Sequence, residues 1–220
     1  MLTLALLALP FGAKAVTLNL DYLPGMENIP GMAVPLANQL TNQLLYQSVM
    51  VTSDGGFGAV SYENGFIGTG WKHNDASVKS GLGGSNASGQ LSYDSPITFT
   101  FVDPILGSAP RFTSSFSAYT DWCGWGEYVS ITGFDLNGKV VAHTSGHEHN
   151  GNNEVGTQFS ISGVNIHRVV IYGAWSTAFS NIAFGTPYVN PVPEPASLVV
   201  MLSGGLHMVL RGCRRRRTAK

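Results

Sequence analysis

Short segments in which apolar and polar residues alternate recur along most of the chain. The clearest is residues 97–101, ITFTF, which follows Pro96 and ends before Asp103-Pro104. A period of two is typical of a strand with one buried face. Further segments predicted to be strands are 16–20, 44–52, 112–119, 128–134, 139–143, 157–161, 166–172 and 179–184. The chain is therefore constrained to fold mainly as paired strands.

Residues 16–190 show no sustained helical period, and turn signals recur about every 8–12 residues, as in all-β domains. This pattern predicts an all-β domain, a β-sandwich of jelly-roll type. Residues 135–138, DLNG, predict a hairpin turn, because Asn137 and Gly138 suit positive φ. Residues 80–89, rich in Gly and Ser, predict a flexible loop without the lysine that a phosphate cradle needs.

Acidic and basic residues are distributed unevenly along the chain. Residues 16–190 are 175 residues long, enough for one domain, and carry five basic and twelve acidic side chains, a net charge of −7. The whole chain has a net charge of −1, because basic residues cluster near its end. An acidic domain argues against nucleic acid and anionic membranes as partners and allows divalent cations.

The first fifteen residues resemble a secretory signal peptide. Residues 2–9 are apolar, residues 10–12 break a helix, and Ala13 and Ala15 are small residues at the positions that a signal peptidase requires. A basic segment before the apolar run is missing, which suggests a start codon further upstream. The prediction is cleavage after Ala15 and export, and the alternative is a buried N-terminal helix.

The last thirty residues contain three segments of different physical character. Residues 192–195, VPEP, cannot continue a strand or a helix, because both prolines lack a backbone donor. Residues 196–210 are apolar but reach only about 22 Å as a helix, against a hydrocarbon core of about 30 Å. Snorkelling arginine stems extend the predicted transmembrane helix to residues 196–213. Clustered positive charge keeps the basic tail, residues 211–220, in the cytoplasm and residues before Glu194 outside.

This tail resembles the PEP-CTERM sorting signal of Gram-negative bacteria, which combines a Pro-Glu-Pro motif, a short transmembrane helix and terminal arginines. The resemblance implies a sorting signal over residues 191–220 and processing by an exosortase, a membrane-embedded peptidase. The recognition motif would be Val192, Pro193, Glu194 and Pro195, and the cytoplasmic anchor Arg211, Arg214, Arg215, Arg216 and Arg217. His207 departs from the usual pattern and is interpreted as variation. The alternative is an anchor that is not cleaved.

Residues 16–190 also resemble the ectodomains of PEP-CTERM proteins. The similar segments are 21–25 (DYLPG), 129–141 (VSITGFDLNGKVV), 168–171 (RVVI) and 179–184 (FSNIAF). The resemblance implies a jelly-roll-like architecture rather than an activity. It departs at Ser180, where relatives usually carry an Asp that contributes to a structural calcium site, and this lowers the expectation of such a site.

Three imidazoles lie within seven residues of one another. His143, His147 and His149, with Glu148, are residue types that bind zinc, nickel or copper. In an extended strand His147 and His149 would share one face. The segment is predicted to be a loop between two strands, so a solvated hairpin loop, a structural divalent metal and a metal-dependent enzyme all remain open. No other cofactor is predicted.

A small group of aromatic residues surrounds Cys123. Tyr119, Trp122 and Trp125 are spaced so that they could stack on sugar rings, and packing in the core or at its rim is the alternative. Cys123 itself is predicted to be a buried core residue, since Cys213 would lie across the membrane. No Gly-x-Ser-x-Gly elbow or triad spacing is present.

Three classes of function follow from these features. The first is a non-catalytic protein that is exported, anchored in the inner membrane, cleaved by an exosortase, and retained at the cell surface or in extracellular polysaccharide such as a biofilm. The second is a carbohydrate-binding module on the β-sandwich, and the third is a metal-dependent enzyme at the segment 143–149. The tail and the lack of catalytic signatures favour the first, so the chain is not expected to be an enzyme.

Overall fold

The computed structural model describes residues 15–18, 20, 33–62, 80–92, 94–122, 128–147, 157–173 and 178–189. The chain divides into a compact unit, Met1–Tyr188, and a second unit, Val189–Lys220, of which only Val189 is described. The described part contains thirteen strands: β1 Ala15–Thr17, β2 Gln39–Leu40, β3 Val49–Thr52, β4 Gly58–Tyr62, β5 Ser80–Ser85, β6 Leu91–Ser92, β7 Ile97–Phe101, β8 Thr113–Trp122, β9 Tyr128–Phe134, β10 Val140–His147, β11 Gln158–Ile166, β12 Arg168–Gly173 and β13 Ala178–Gly185. Its helices are two 3-10 turns, Leu36–Asn38 and Leu45–Gln47.

The strands form two antiparallel sheets that share one core. The larger sheet has the order β11-β8-β13-β5-β4-β2, with β1 paired to β13 and β6 paired to β5. The smaller sheet has the order β10-β9-β12-β7-β3. The predicted all-β sandwich is confirmed, because side chains of both sheets belong to a single buried cluster.

Alternation within the strands builds the core. In β7 the side chains of Ile97, Phe99 and Phe101 are buried, and the residues between them are half-buried. Phe99 of the smaller sheet packs against Phe116 of the larger sheet with ring centroids 5.0 Å apart, and Phe101 packs against Phe184 at the same distance. Tilted aromatic pairs at this separation are attractive beyond the area that they bury. These pairs join the two sheets.

The turn between β9 and β10 agrees with the predicted hairpin. Asp135 N donates to Lys139 O at 2.9 Å, and Asp135 Oδ1 accepts from the backbone N–H groups of Asn137 and Lys139 at 2.9 Å. Gly138 has a φ of +79°, whereas Asn137 does not have a positive φ. The expected left-handed conformation is thus confined to the glycine.

The prediction of a flexible loop at residues 80–89 is wrong for its first half. Ser80–Ser85 is β5, an interior strand of the larger sheet between β13 and β4. The strand has few large side chains because other groups come close to it. A Cβ added to Gly84 would lie 2.2 Å from the carbonyl oxygen of Ser95 and 2.8 Å from that of Ser92. Glycine is required there by close approach of backbone rather than by a turn.

The segment between β7 and β8 is held by one carboxylate. Asp103 Oδ1 accepts from the backbone N–H groups of Ile105 at 2.9 Å and Leu106 at 3.0 Å, and Asp103 Oδ2 pairs with the guanidinium of Arg111. The N–H of Leu106, the Arg111 guanidinium and the N–H of Ile105 together lower the pKa of Asp103 from 3.8 to about 2. The ionised form is therefore preferred in the folded state.

This shift predicts a pH dependence of stability. The pKa of Asp103 is depressed on folding, so its contribution is complete above about pH 4 and is lost as the pH falls towards 2. Asp103→Asn is expected to lower the urea midpoint at pH 7, and the difference from wild type should shrink to near zero at pH 2. Urea unfolding of both proteins between pH 2 and 7 measures it. A difference that stays constant over this range would contradict the assigned role.

Candidate functional site

The outer face of the larger sheet carries a ladder of small hydroxyl side chains. In β8 the residues Phe116, Ala118 and Thr120 are buried, so Ser115, Ser117 and Tyr119 lie on the opposite face and are half-buried. In the first half of β11 the residues Phe159 and Ile161 are buried, and their exposed neighbours are Gln158, Ser160 and Ser162. Backbone register places these outer residues opposite each other: Gln158 with Tyr119, Ser160 with Ser117, and Ser162 with Ser115.

Two of the three irregularities in the pairing of β8 involve asparagines with positive φ. The register between β11 and β8 shifts between Ser162 and Ile166, where Asn165 has a φ of +59°. The register between β13 and β8 shifts between Ser180 and Ala183, where Asn181 has a φ of +45°. Bulges bend a strand and increase its twist, which curves the surface of the sheet. One irregularity lies on each side of β8, the strand that carries Ser115 and Ser117.

The face contains a groove of about 320 Å³. Its walls are formed by Ser115, Ser117, Gln158, Ser160, Ser162 and Ala183, and we call it the serine groove. Ala15 of β1 lies at its edge, and its floor is formed by Phe116, Ile161 and Phe184. Within the described part of the chain, the residues that line the groove have no ionisable side chain. This part of the serine groove is therefore a neutral surface that combines hydrogen-bonding and apolar groups.

Tyr119 lies at one end of the serine groove, next to Gln158. The Tyr119 hydroxyl donates to Gln158 Oε1 at 3.2 Å. This hydrogen bond orients the amide, because its oxygen faces the tyrosine and its nitrogen remains a donor for other groups. A half-buried aromatic ring beside a row of hydroxyl groups offers both an apolar face and polar edges.

The predicted aromatic platform is described only in part. Tyr119 is placed as above, and Trp122 ends β8, with its backbone opposite Ala178. The side chain of Trp122, all of Trp125 and all of Cys123 lie outside the described residues. Whether the three aromatic residues stack on sugar rings together stays a prediction.

The histidine segment is a strand rather than the predicted loop as far as His147. β10 continues to His147 because its residues 142–147 pair with β9. His143 Nδ1 is 2.9 Å from Thr132 Oγ1, and the ring of His147 lies 5.6 Å from that of Tyr128 in an edge-on arrangement. The two histidines are four residue steps apart along an extended strand, about 13 Å at 3.3 Å per residue.

That separation keeps the two imidazoles apart, and each contacts a different residue of β9. His149 lies outside the described residues. Within the part of the chain that the structure describes, no group of three or more His, Cys, Asp or Glu residues could hold a metal ion. His143 and His147 therefore do not form a shared metal site by themselves.

The sorting residues fall beyond the last described position. Val192, Pro193, Glu194, Pro195 and the five arginines of the basic tail lie outside the described residues, as does the predicted transmembrane helix 196–213. Among the residues that are described, none forms a helix long and apolar enough to cross a membrane. The tail therefore stays a prediction from sequence.

Comparison with known proteins adds little to this geometry. No protein-family model matches the sequence, and neither does any curated protein. Among solved structures, the chain is similar to the enzymatically active domain of tailspike protein 4 of bacteriophage CBA120, at a TM-score of 0.30 and 15% sequence identity. The alignment covers 67% of this chain and 20% of the tailspike chain, so the chain spans about a fifth of that protein's length. A likeness this weak assigns neither a fold nor an activity.

The serine groove was missed in the sequence, although a signal for it is present. Residues 115–119, SFSAY, and 158–162, QFSIS, both place serine at alternate positions. Alternation indicates the buried face of each strand, and it leaves the polar positions with no predicted role other than contact with solvent. Serine at four of the six outer positions of these two segments indicates a surface that large ligands can approach closely.

Proposed function

We propose that the chain is an exported protein of the cell surface or extracellular matrix, sorted and processed through its PEP-CTERM-like tail by an exosortase. The observation that carries this proposal is the order of three segments at the end of the chain: VPEP at 192–195, an apolar run at 196–210, and five arginines at 211–217. An uncleaved anchor needs no Pro-Glu-Pro motif. The signal-peptide-like residues 1–15 support the same route, since both ends then serve export.

The proposed path places the domain outside the inner membrane and releases it near Glu194. Before cleavage, residues 196–213 would hold the chain in that membrane with the arginines in the cytoplasm. After cleavage, the acidic domain would remain at the surface or in exopolysaccharide. An acidic domain suits this location better than contact with nucleic acid. The proposed role requires no catalysis.

We further propose that the sandwich is of jelly-roll type, as expected for a PEP-CTERM-like ectodomain. The pairing of eight strands supports this, because the pairs are nested: β5 with β13, β7 with β12, β8 with β11, and the hairpin β9 with β10. Successive nested pairs also alternate between the two sheets. A ribbon of antiparallel strands wrapped into a double sheet produces this order.

A carbohydrate-binding module is the second candidate function, and it is compatible with the first. The serine groove favours it, since a concave face with hydrogen-bonding groups and an adjacent aromatic ring can contact both the hydroxyls and the apolar faces of sugars. From the sequence, stacking on sugar rings is expected of Tyr119, Trp122 and Trp125. The described cleft instead combines four serines and Gln158 with apolar residues.

Glu194→Ala is expected to prevent processing of the tail. Glu194 is the one charged residue of the VPEP motif, so its loss should remove most of the recognition by the peptidase. In the native host we expect wild type to end near residues 193–195 and the variant to retain the tail. Intact mass and C-terminal sequencing of the recovered protein measure this.

Glu154→Ala, the same change within the domain, is the matched control and should be processed as wild type. Full-length protein in the membrane for wild type and both variants would show that the tail is only an anchor. The sorting proposal would then be withdrawn.

A further inference from the structure

We propose that the serine groove is the binding site for an uncharged polysaccharide strand. The proposal rests on the proposed surface function, which supplies polysaccharide as the surroundings of the domain. It adds a site, Ser115, Ser117, Gln158, Ser160 and Ser162, and a ligand class, a polymer of neutral sugars.

Charge determines the class of polymer. Among the residues that the structure describes, none in the walls of the serine groove has an ionisable side chain, and the sequence of the domain has a net charge of −7. A polyanion such as nucleic acid or an acidic glycan would find no compensating cation in the groove and a repulsive field around it. A neutral polymer avoids both penalties.

Hydrogen-bonding chemistry matches the groove to sugars. A serine hydroxyl both donates and accepts, as a sugar hydroxyl does, and the Gln158 amide adds donors. Outer residues on one strand repeat about every 6.6–6.8 Å, and the facing pairs lie about 4.5–5.5 Å apart. The walls therefore present a two-dimensional array of hydroxyls, to which a polymer with repeated hydroxyls can bind at several points.

The walls of the serine groove belong to strands that pack on the core, and a ligand can come close to these strands. Phe116 and Phe184, whose backbones contribute to the floor, are each 1% exposed and belong to the core. Serine is short, so a ligand can come close to the sheet, and its side chain loses little rotamer freedom on binding. The groove is thus already formed before a ligand arrives, which reduces the ordering penalty of association.

The volume and the polarity of the serine groove restrict the ligands that it can bind. A volume of about 320 Å³ lies at the lower end of the range of about 300–1,000 Å³ for ligand sites, which suits a short stretch of a long polymer. Residues 2–9, the apolar part of the predicted signal peptide, lack the repeated hydroxyl groups that would match the serines of the groove. Tyr119 provides the ring on which a terminal sugar of the bound stretch can stack.

The test is affinity electrophoresis of the full-length chain in a non-ionic detergent without a sugar headgroup. Native gels contain hydroxyethyl cellulose or dextran as neutral polymers, and alginate as an acidic polymer of similar size. We expect one of the neutral polymers to retard wild type and alginate not to do so. Ser160→Asp should weaken the retardation at least about tenfold, because one hydrogen bond is lost and a charge enters the groove.

Ser145→Asp is the matched control, since Ser145 is an exposed serine on β10 of the other sheet. Its retardation should equal that of wild type, and circular dichroism should show all variants folded. Gln158→Ala, which adds no charge, should also weaken binding. Light scattering on wild type and Ser160→Asp reports whether the groove instead joins two copies of the chain.

Each contrary outcome has a defined meaning. Retardation by a neutral polymer that is equal in Ser160→Asp and Ser145→Asp would overturn the groove as the site and leave carbohydrate binding standing. Retardation by alginate alone, by no polymer, or a dimer that Ser160→Asp dissociates would overturn the inference. None of these results bears on cleavage near Glu194, so the sorting proposal fails or stands separately.

Discussion

Phe99→Ala is expected to lower the free energy of unfolding by about 3–5 kcal/mol, as for other fully buried aromatic residues. The Phe99 ring has no exposed surface and lies 5.0 Å from the ring of Phe116 across the two sheets. The substitution removes apolar burial and leaves a cavity that strands on both sides cannot close. Urea unfolding followed by tryptophan fluorescence measures the loss.

Phe134→Ala is the matched control for this prediction. Phe134 also belongs to the smaller sheet, but it is half-buried and packs under the Arg168 guanidinium, which lies 4.6 Å from the ring centroid. We expect Phe134→Ala to lower the free energy of unfolding by only about 1–2 kcal/mol. Part of the buried surface of Phe134 and its cation–π contact are lost, but no core cavity forms. Equal losses for the two variants would show that Phe99 does not join the sheets as described.

Gly84→Ala is expected to destabilise the domain by about 3 kcal/mol or more, at or beyond the upper end of ordinary overpacking. The added Cβ would lie 2.2 Å and 2.8 Å from two backbone carbonyl oxygens, of Ser95 and Ser92. Backbone cannot move aside as a side chain can, so β5 must shift against β6. The unfolding midpoint in urea or on heating should fall clearly.

Gly146→Ala provides the comparison for a glycine with a movable neighbour. Its added Cβ would lie 3.2 Å from Phe159 Cε1, the end of a side chain that can shift by a few tenths of an ångström. We expect Gly146→Ala to lower the free energy of unfolding much less than Gly84→Ala does. If Gly84→Ala were as mild as Gly146→Ala, the close approach of β5 to the segment 92–95 would be wrong.

Much of the fold could be predicted from the sequence where strands alternate large apolar and polar residues. The predicted segments 97–101 and 128–134 coincide with β7 and β9. The pattern failed for β5, since Ser80–Ser85 contains a single large side chain, Leu82. A glycine in a sequence can indicate either a turn or a close packing contact, and only the tertiary structure shows which of the two applies.

The sequence was less informative about the candidate site. The histidines and tryptophans of the sequence suggest binding sites by their residue type. In the structure, however, His143 and His147 lie far apart along one strand. The serine groove depends on the register of β11 against β8 and on bulges at Asn165 and Asn181. Register and bulges arise from the pairing of distant segments, so no local pattern predicts them.

The position of the last strand has a mechanical consequence. β13 lies inside the larger sheet, paired with β8 on one side and with β5 and β1 on the other. A force that pulls the chain beyond Gly185 acts along this strand and loads its hydrogen bonds in shear. Many pairs must then break together, whereas an edge strand peeled sideways would open one pair at a time. Tension applied to the chain just after Gly185 is therefore resisted by these hydrogen bonds together.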